Sequence, residues 1–286
     1  MLCFPNARIT LGLHVKAKRR DGFHDIETAM LPVGMHDALE IAPAVDSKTK
    51  FIPTGKPIPG DPDKNLVMEA LKLIKNELQS HPDRKTKIPV PLRIYLRKGI
   101  PAGSGLAGGS ADGAFMLKML NDFYKLHLTS EMLETLAAKL GSDCPFFVKN
   151  KPMMVRGRGE ILEPINIPDL SEFQIIIIIP SFGINTAEAY KLINPETERI
   201  AIEEILTMPL EEWQENLKND FESALFKPYP SLERIKDRLI DRGAVYASLT
   251  GSGSALYGIF ENTAVLPLLR KDFNDCQVVQ CHILKP

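Results

Sequence analysis

Strand-like and helix-like segments alternate along these 286 residues, and they predict a globular protein of mixed α and β structure. Three observations carry that expectation. Residues Arg8 to Val15, R-I-T-L-G-L-H-V, alternate apolar and polar with the period of a strand. Asn65 to Leu78 sets Leu66, Ala70, Leu73, Ile74 and Leu78 along one helical stripe. The composition, 44% hydrophobic and 25% charged, suits an ordinary folded chain, long enough for one large domain or two of common size.

Taken in order, the first strand puts Ile9, Leu11, Leu13 and Val15 on one face. Arg8, Thr10, Gly12 and His14 share the other, which is expected to be wet or turned to a ligand. Lys16 to His24 follows, a basic stretch closed by the hairpin signal Asp21-Gly22. Asp37 to Ile41 reads as a short strand, and Pro53 to Asp63 is too rich in proline and glycine for the interior of an element. The amphipathic helix has Asn65 placed to cap it. A polar loop, Ser80 to Lys87, leads to a half-buried strand at Leu92 to Leu96. Helix formers resume at Ala114 to Leu120, and a second helix, Ser130 to Leu140, stops at Gly141. Gln174 to Pro180 is a buried strand, with Thr186 as the cap of the next helix. Glu203 to Ile240 is largely helical, broken at Pro209 and at Pro228-Tyr229-Pro230. A glycine-rich turn then spans Ser248 to Gly258.

Several functions are disfavoured. The net charge of −1 offers no field to recruit nucleic acid or an acidic membrane. Cys3, Cys144, Cys276 and Cys281 lack paired C-x-x-C spacing, so neither a zinc site nor a disulfide framework is expected, and a reducing cytoplasm fits. Asn6 and Arg8 interrupt any apolar leader, and the bare apolar run Ile175 to Ile179 is too short to span a bilayer.

The densest signal is Pro101 to Ala114, P-A-G-S-G-L-A-G-G-S-A-D-G-A, between a strand and a helix. A glycine-rich turn feeding a helix gathers backbone N–H groups around an anion, with the positive end of the helix dipole behind them. The plain alternative is a flexible turn with incidental glycines. No lysine follows as the Walker loop requires. Gly103, Gly105 and Gly108 do match G-x-G-x-x-G, but the nearest acid at dinucleotide spacing, Glu131, lies in a helical run rather than at a strand end.

The order P-x-G-x-G-L-x-G-G-S resembles the second motif of the GHMP small-molecule kinases. Other segments fall in that family's order. Arg8-Ile9-Thr10-Leu11 lies where its first motif carries lysine and asparagine. Arg19, Asp21, Gly22, Phe23 and His24 match R-x-D-G-[YF]-H of its cytidine-binding branch, and Met154 to Leu162 resembles its G-x-G-E turn. Leu140 to Phe147 matches L-G-[SA]-D-[VC]-P-F-[FC], and Leu249 to Ala255 its third motif.

The resemblance implies two α+β domains, residues 1–155 and 156–286, with the active site in the cleft between them. It implies ATP-dependent phosphorylation of an alcohol on a small substrate carrying a cytidine diphosphate, a step of non-mevalonate isoprenoid synthesis. Pro101, Ala102, Gly103, Ser104, Gly105, Leu106, Ala107, Gly108, Gly109 and Ser110 would hold ATP, with Asn65 beside it, and Ser110 is the candidate ligand of Mg²⁺. Asp143, which by itself reads first as a helix cap, would be the catalytic base, with Arg8 as its cationic partner. Thr10, Phe23, His24, Gly251 and Gly253 would meet substrate, Phe23 stacking on cytosine and His24 bonding its edge. Another GHMP kinase, acting on mevalonate, homoserine or a sugar, or a catalytically weak nucleotide-binding homologue, are the rival readings. No nucleic-acid or membrane partner is expected, and a homodimer is compatible with the sequence.

Overall fold

The computed structural model describes residues 1–46, 48–80, 90–196, 199–261 and 263–284. The polar loop expected from Ser80 lies, from residue 81 onward, outside the described residues. Among those described, the strands in chain order are β1 (Leu2–Cys3), β2 (Asn6–Lys18), β3 (His24–His36), β4 (Ala38–Pro43), β5 (Lys50–Gly55) and β6 (Leu92–Lys98). They continue as β7 (Met153–Gly157), β8 (Ile161–Pro164), β9 (Gln174–Ile179), β10 (Tyr246–Leu249), β11 (Leu256–Phe260) and β12 (Gln277–Cys281). The α-helices begin with α1 (Leu66–Ser80), α2 (Gly108–Phe123), α3 (Ser130–Leu140), α4 (Cys144–Lys149) and α5 (Thr186–Lys191). Then come α6 (Ile202–Ile205), α7 (Trp213–Asn216), α8 (Asp220–Leu225), α9 (Pro230–Asp241) and α10 (Leu266–Asp272). The chain groups into two compact units, each built from several segments: 1–7, 35–102 and 107–150 form the first, and 8–34, 103–106 and 151–286 the second.

The first unit packs helices on one sheet, of order β1-β4-β6-β5. β4 runs antiparallel to β6, with Ile41 opposite Ile94, and their alternation buries Leu39, Ile41, Leu92, Ile94 and Leu96. Helix α1 begins where expected, because the Asn65 side chain accepts from the Val67 N–H at 3.0 Å. Thr129 caps α3 in the same way and Gly141 ends it. The proline-rich stretch departs from expectation at its start, where Lys50–Gly55 forms β5 parallel to β6. β5 is an edge strand, the one place where a proline such as Pro53 costs the ladder nothing.

A buried ion triad also belongs to this unit. Lys98, last residue of β6, has its ammonium paired with Asp37, just before β4, and with Asp112 in the first turns of α2 at 2.6 Å. Asp37 additionally accepts from the Gly99 and Ile100 N–H groups at 2.6 and 2.9 Å. Burial pushes the Asp112 carboxyl up to about 8; Lys98 pulls it back and Asp37 pushes it further.

The second unit holds two sheets, of order β2-β3-β7-β8 and β10-β11-β9-β12. β9 is central and antiparallel to both neighbours, which explains its uninterrupted isoleucines: both faces are covered. The helical stretch from Ile202 is divided into α6 to α9, with the expected breaks at Pro209 and before Pro230 and a further one between Asn216 and Asp220. The cap of α5 is Asn185, not Thr186: Asn185 accepts from the Ala187 and Glu188 N–H groups, while the Thr186 hydroxyl lies 2.9 Å from that of Ser252. The second face of β2 is also not wet. Arg8, Thr10 and His14 are buried, each at 5% exposure or less.

Helix α2 starts six residues earlier than its helix formers suggest, at Gly108, and Ala107 before it is left-handed, with φ 56° and ψ 27°. For an alanine that conformation costs about 1–2 kcal/mol, against an entropic penalty of about 0.4–1 kcal/mol for glycine. Ala107→Gly should therefore stabilise the protein by about 0.5–1 kcal/mol, a rise of about 2 °C in melting temperature by calorimetry.

Candidate active site

Within the second unit, β2, the loop residues 103–106 and the turn between β10 and β11 interlock. The Gly105 carbonyl accepts from Arg8 Nη1 at 2.5 Å and from the Thr250 hydroxyl at 3.5 Å. The Leu106 carbonyl accepts from the Arg8 N–H, Ser104 from Ala255 and Gly103 from Ile184, all within 3.1 Å. Thr10 holds the turn from the strand side. Its hydroxyl accepts from the Gly251 N–H at 2.9 Å, its N–H donates to the Thr250 hydroxyl, and its carbonyl accepts from Tyr257. A Cβ added at Gly251 would lie 3.3 Å from the Arg8 guanidinium, and one at Gly253 would lie 3.3 Å from the Ile184 and Leu249 side chains. Asn219, which the sequence reading did not single out, donates to the Leu249 and Gly251 carbonyls at 2.8 and 2.9 Å.

Gly105 shows why this loop is glycine at that point. Its φ is +74°, and an added Cβ would lie 2.2 Å from the Thr250 carbonyl oxygen. The missing side chain makes room for the protein's own turn. Gly109 is different: nothing lies within 4 Å of its Cβ position, so its backbone is open to approach.

The Asp21-Gly22 turn forms as predicted, with the Arg19 N–H on the Phe23 carbonyl and the Phe23 N–H on the Asp21 carboxylate. It presents Phe23 at 47% exposure, with the Arg158 guanidinium 4.9 Å from the ring centre. His24 stacks on Tyr190 at 4.8 Å and 16°, and Tyr190 meets Phe221 edge-on. Burial, then the Lys18 charge, hold the His24 imidazole below its ordinary value, so it is neutral at pH 7. Tyr190 and Arg158 were missed because one aromatic in T-A-E-A-Y and one arginine in a turn carry no pattern of their own.

Within the first unit, α2 and α4 bring two polar groups to the same thiol. Burial chiefly, with the Asp143 charge adding and the Ser110 hydrogen bond opposing, pushes the Cys144 thiol up to about 12. Asp143 occupies the cap position of α4 and makes no side-chain capping bond there. Asn65 sits at the start of α1, and Pro101 and Ala102 lead out of β6 toward the loop. Among the described residues, no three His, Cys, Asp or Glu side chains cluster as a metal site, and no helix is long and apolar enough to cross a membrane.

Residues 65–151 match the GHMP kinases N terminal domain, and residues 201–274 match the GHMP kinases C terminal region. The 4-diphosphocytidyl-2-C-methyl-D-erythritol kinase of Parabacteroides distasonis is 44% identical over 91% of this chain and 92% of its own length. That of Bacteroides thetaiotaomicron is also 44% identical, over 93% of this chain and 94% of its own length. The chain belongs to this family of GHMP kinases. A crystal structure of 4-(cytidine 5'-diphospho)-2C-methyl-D-erythritol kinase superposes on this kinase with a TM-score of 0.78 at 26% identity, covering 98% of this chain and 99% of the other. The mevalonate kinase of Methanococcus jannaschii shares the fold, with a TM-score of 0.70 at 15% identity over 100% and 98% of the two chains.

The interlock gives this kinase a stability test. Gly105→Ala places a methyl group against the Thr250 carbonyl and should cost at least about 2 kcal/mol by thermal or chemical unfolding. Gly109→Ala, in open space at the start of α2, should leave stability unchanged or raise it slightly.

Proposed function

We propose that this kinase transfers the γ-phosphoryl group of ATP to the 2-hydroxyl of 4-diphosphocytidyl-2-C-methyl-D-erythritol, as a cytoplasmic enzyme of non-mevalonate isoprenoid synthesis. The observation that carries the reading is Asp143, a carboxylate at the start of α4 that shares the Cys144 thiol as a neighbour with the Ser110 hydroxyl of α2.

Phosphoryl transfer needs positioning and charge stabilisation more than covalent help from the protein. Backbone N–H groups of the glycine stretch hold the ATP phosphates, with Gly109 offering open approach. Asp143 accepts the proton of the attacking hydroxyl. Arg8 counters negative charge on the transferring group, and its bond to the Gly105 carbonyl fixes its direction. The Ser110 hydroxyl and Asp143 carboxylate are hard oxygen donors that fit Mg²⁺, which when bound would neutralise phosphate charge. Thr10 acts by holding the Gly251 turn.

Recognition of the substrate falls to Phe23, His24 and Tyr190. A neutral imidazole donates from one nitrogen and accepts at the other, matching the mixed edge of cytosine. Arg158 covers one face of the Phe23 ring, so the base takes the opposite face while the guanidinium stands near for the diphosphate.

Asp143→Asn should retain ATP binding and lower kcat by roughly 10²-fold or more; turnover near that of the parent enzyme, with the fold intact, would remove Asp143 from the chemistry. Base–aromatic stacking is worth about 1–3 kcal/mol. Phe23→Ala should thus raise the KM for the cytidine substrate about 10- to 100-fold and leave that for ATP nearly unchanged. The same substrate carrying uracil should be phosphorylated far more slowly, because its edge exchanges a donor for an acceptor. Equal rates on the two compounds, or faster phosphorylation of mevalonate or a sugar, would overturn the substrate assignment while leaving a kinase.

A further inference from the structure

The glycine stretch has two ends, and both are fastened to one ammonium group. Lys98 stands three residues before Pro101, and Asp112 is the fifth residue of α2, fourteen positions further on. Their side chains are 5% and 2% exposed and meet at 2.6 Å. The same ammonium is paired with Asp37, whose other oxygen takes the N–H groups of Gly99 and Ile100. The backbone entering the stretch is thereby held to the ammonium from one side and the first turns of α2 from the other. Gly108 closes the gap: a Cβ there would lie 2.7 Å from the Ile100 side chain and 3.3 Å from Lys98 Nζ.

Two carboxylates around one cation are not needed for stability alone. A buried ionic triad commonly does no better than apolar side chains of the same shape, because desolvation consumes the attraction. Its specific property is direction. Lys98 can satisfy both carboxylates only when the two ends of the stretch stand at one separation.

We propose that Lys98, held between Asp37 and Asp112, is a positioning residue for nucleotide binding, setting the separation of the two ends of the glycine stretch so that its N–H groups converge on the phosphates of ATP. The role rests on the reading of that stretch as the ATP site. It does not place Lys98 against the nucleotide, and it predicts an effect on ATP before any effect on the alcohol substrate.

The test uses the full chain and two variants, with ATP affinity measured by titration calorimetry. Lys98→Met leaves two buried acidic side chains without the ammonium that joins them and should weaken ATP binding about 10-fold or more, the scale of a small misplacement in a site of converging groups. Because that variant can also lose stability, the double variant Lys98→Met with Asp112→Leu replaces the tether by apolar side chains and leaves Asp37 its two backbone donors. It should melt within a few degrees of the parent and still bind ATP about 10-fold more weakly, while the KM for the cytidine substrate moves less than about two-fold. A folded double variant with parental ATP affinity would overturn the proposal, as would equal weakening toward both substrates. If the parent protein itself failed to bind ATP, the reading of the glycine stretch would be at fault instead.

Discussion

The carbonyl oxygen of Gly105 is the point on which the second unit's polar interior depends. It receives a fixed charge from Arg8 and a hydroxyl from Thr250, and it lies where the chain has left-handed φ and no side chain. Remove the close approach, and the turn that carries Gly251 loses its seat. The Arg8 guanidinium, packed against Gly251, then loses its direction. A charged group held by a backbone carbonyl cannot swing, and a group that cannot swing needs no reorganisation when charge develops near it.

That constraint also explains the residues at the start of the chain. The first strand has arginine and threonine where the family motif has lysine and asparagine. Thr10 spends its hydroxyl, its N–H and its carbonyl on the protein itself, so a short side chain suffices. Arg8 reaches the Gly105 carbonyl with one arm of a planar fork, a geometry that the single ammonium point of lysine does not reproduce.

Much of this was legible in the sequence, and the limits were physical. Local signals held: the cap at Asn65, the span of α3 from Ser130 to its stop at Gly141, the Asp21-Gly22 turn and the alternation before the glycine stretch all need only neighbours a few residues away. Features that depend on distant partners did not declare themselves. Asn219 reaches Leu249 and Gly251, His24 meets Tyr190, and Lys98 collects Asp37 from across the sheet's connecting chain. None of these residues is unusual where it stands; each becomes so only through a partner dozens or more positions away. The burial of Arg8 and Thr10 went unread for the same reason, since their partners lie near residues 105 and 250, and that of His14 because Arg199 and Asp220 stand near it.

The division of the chain bears on how the protein emerges from the ribosome. The first unit is complete once residue 150 has been made, whereas the hairpin of residues 8–34 belongs to a body whose remaining strands and helices come after residue 151. At ordinary elongation speeds, the apolar face of that hairpin stands without its partners for on the order of ten seconds. A nascent chain of this kinase must therefore carry an early segment in waiting while the middle of the sequence folds ahead of it, an interval in which a holdase would find its target near the N-terminus.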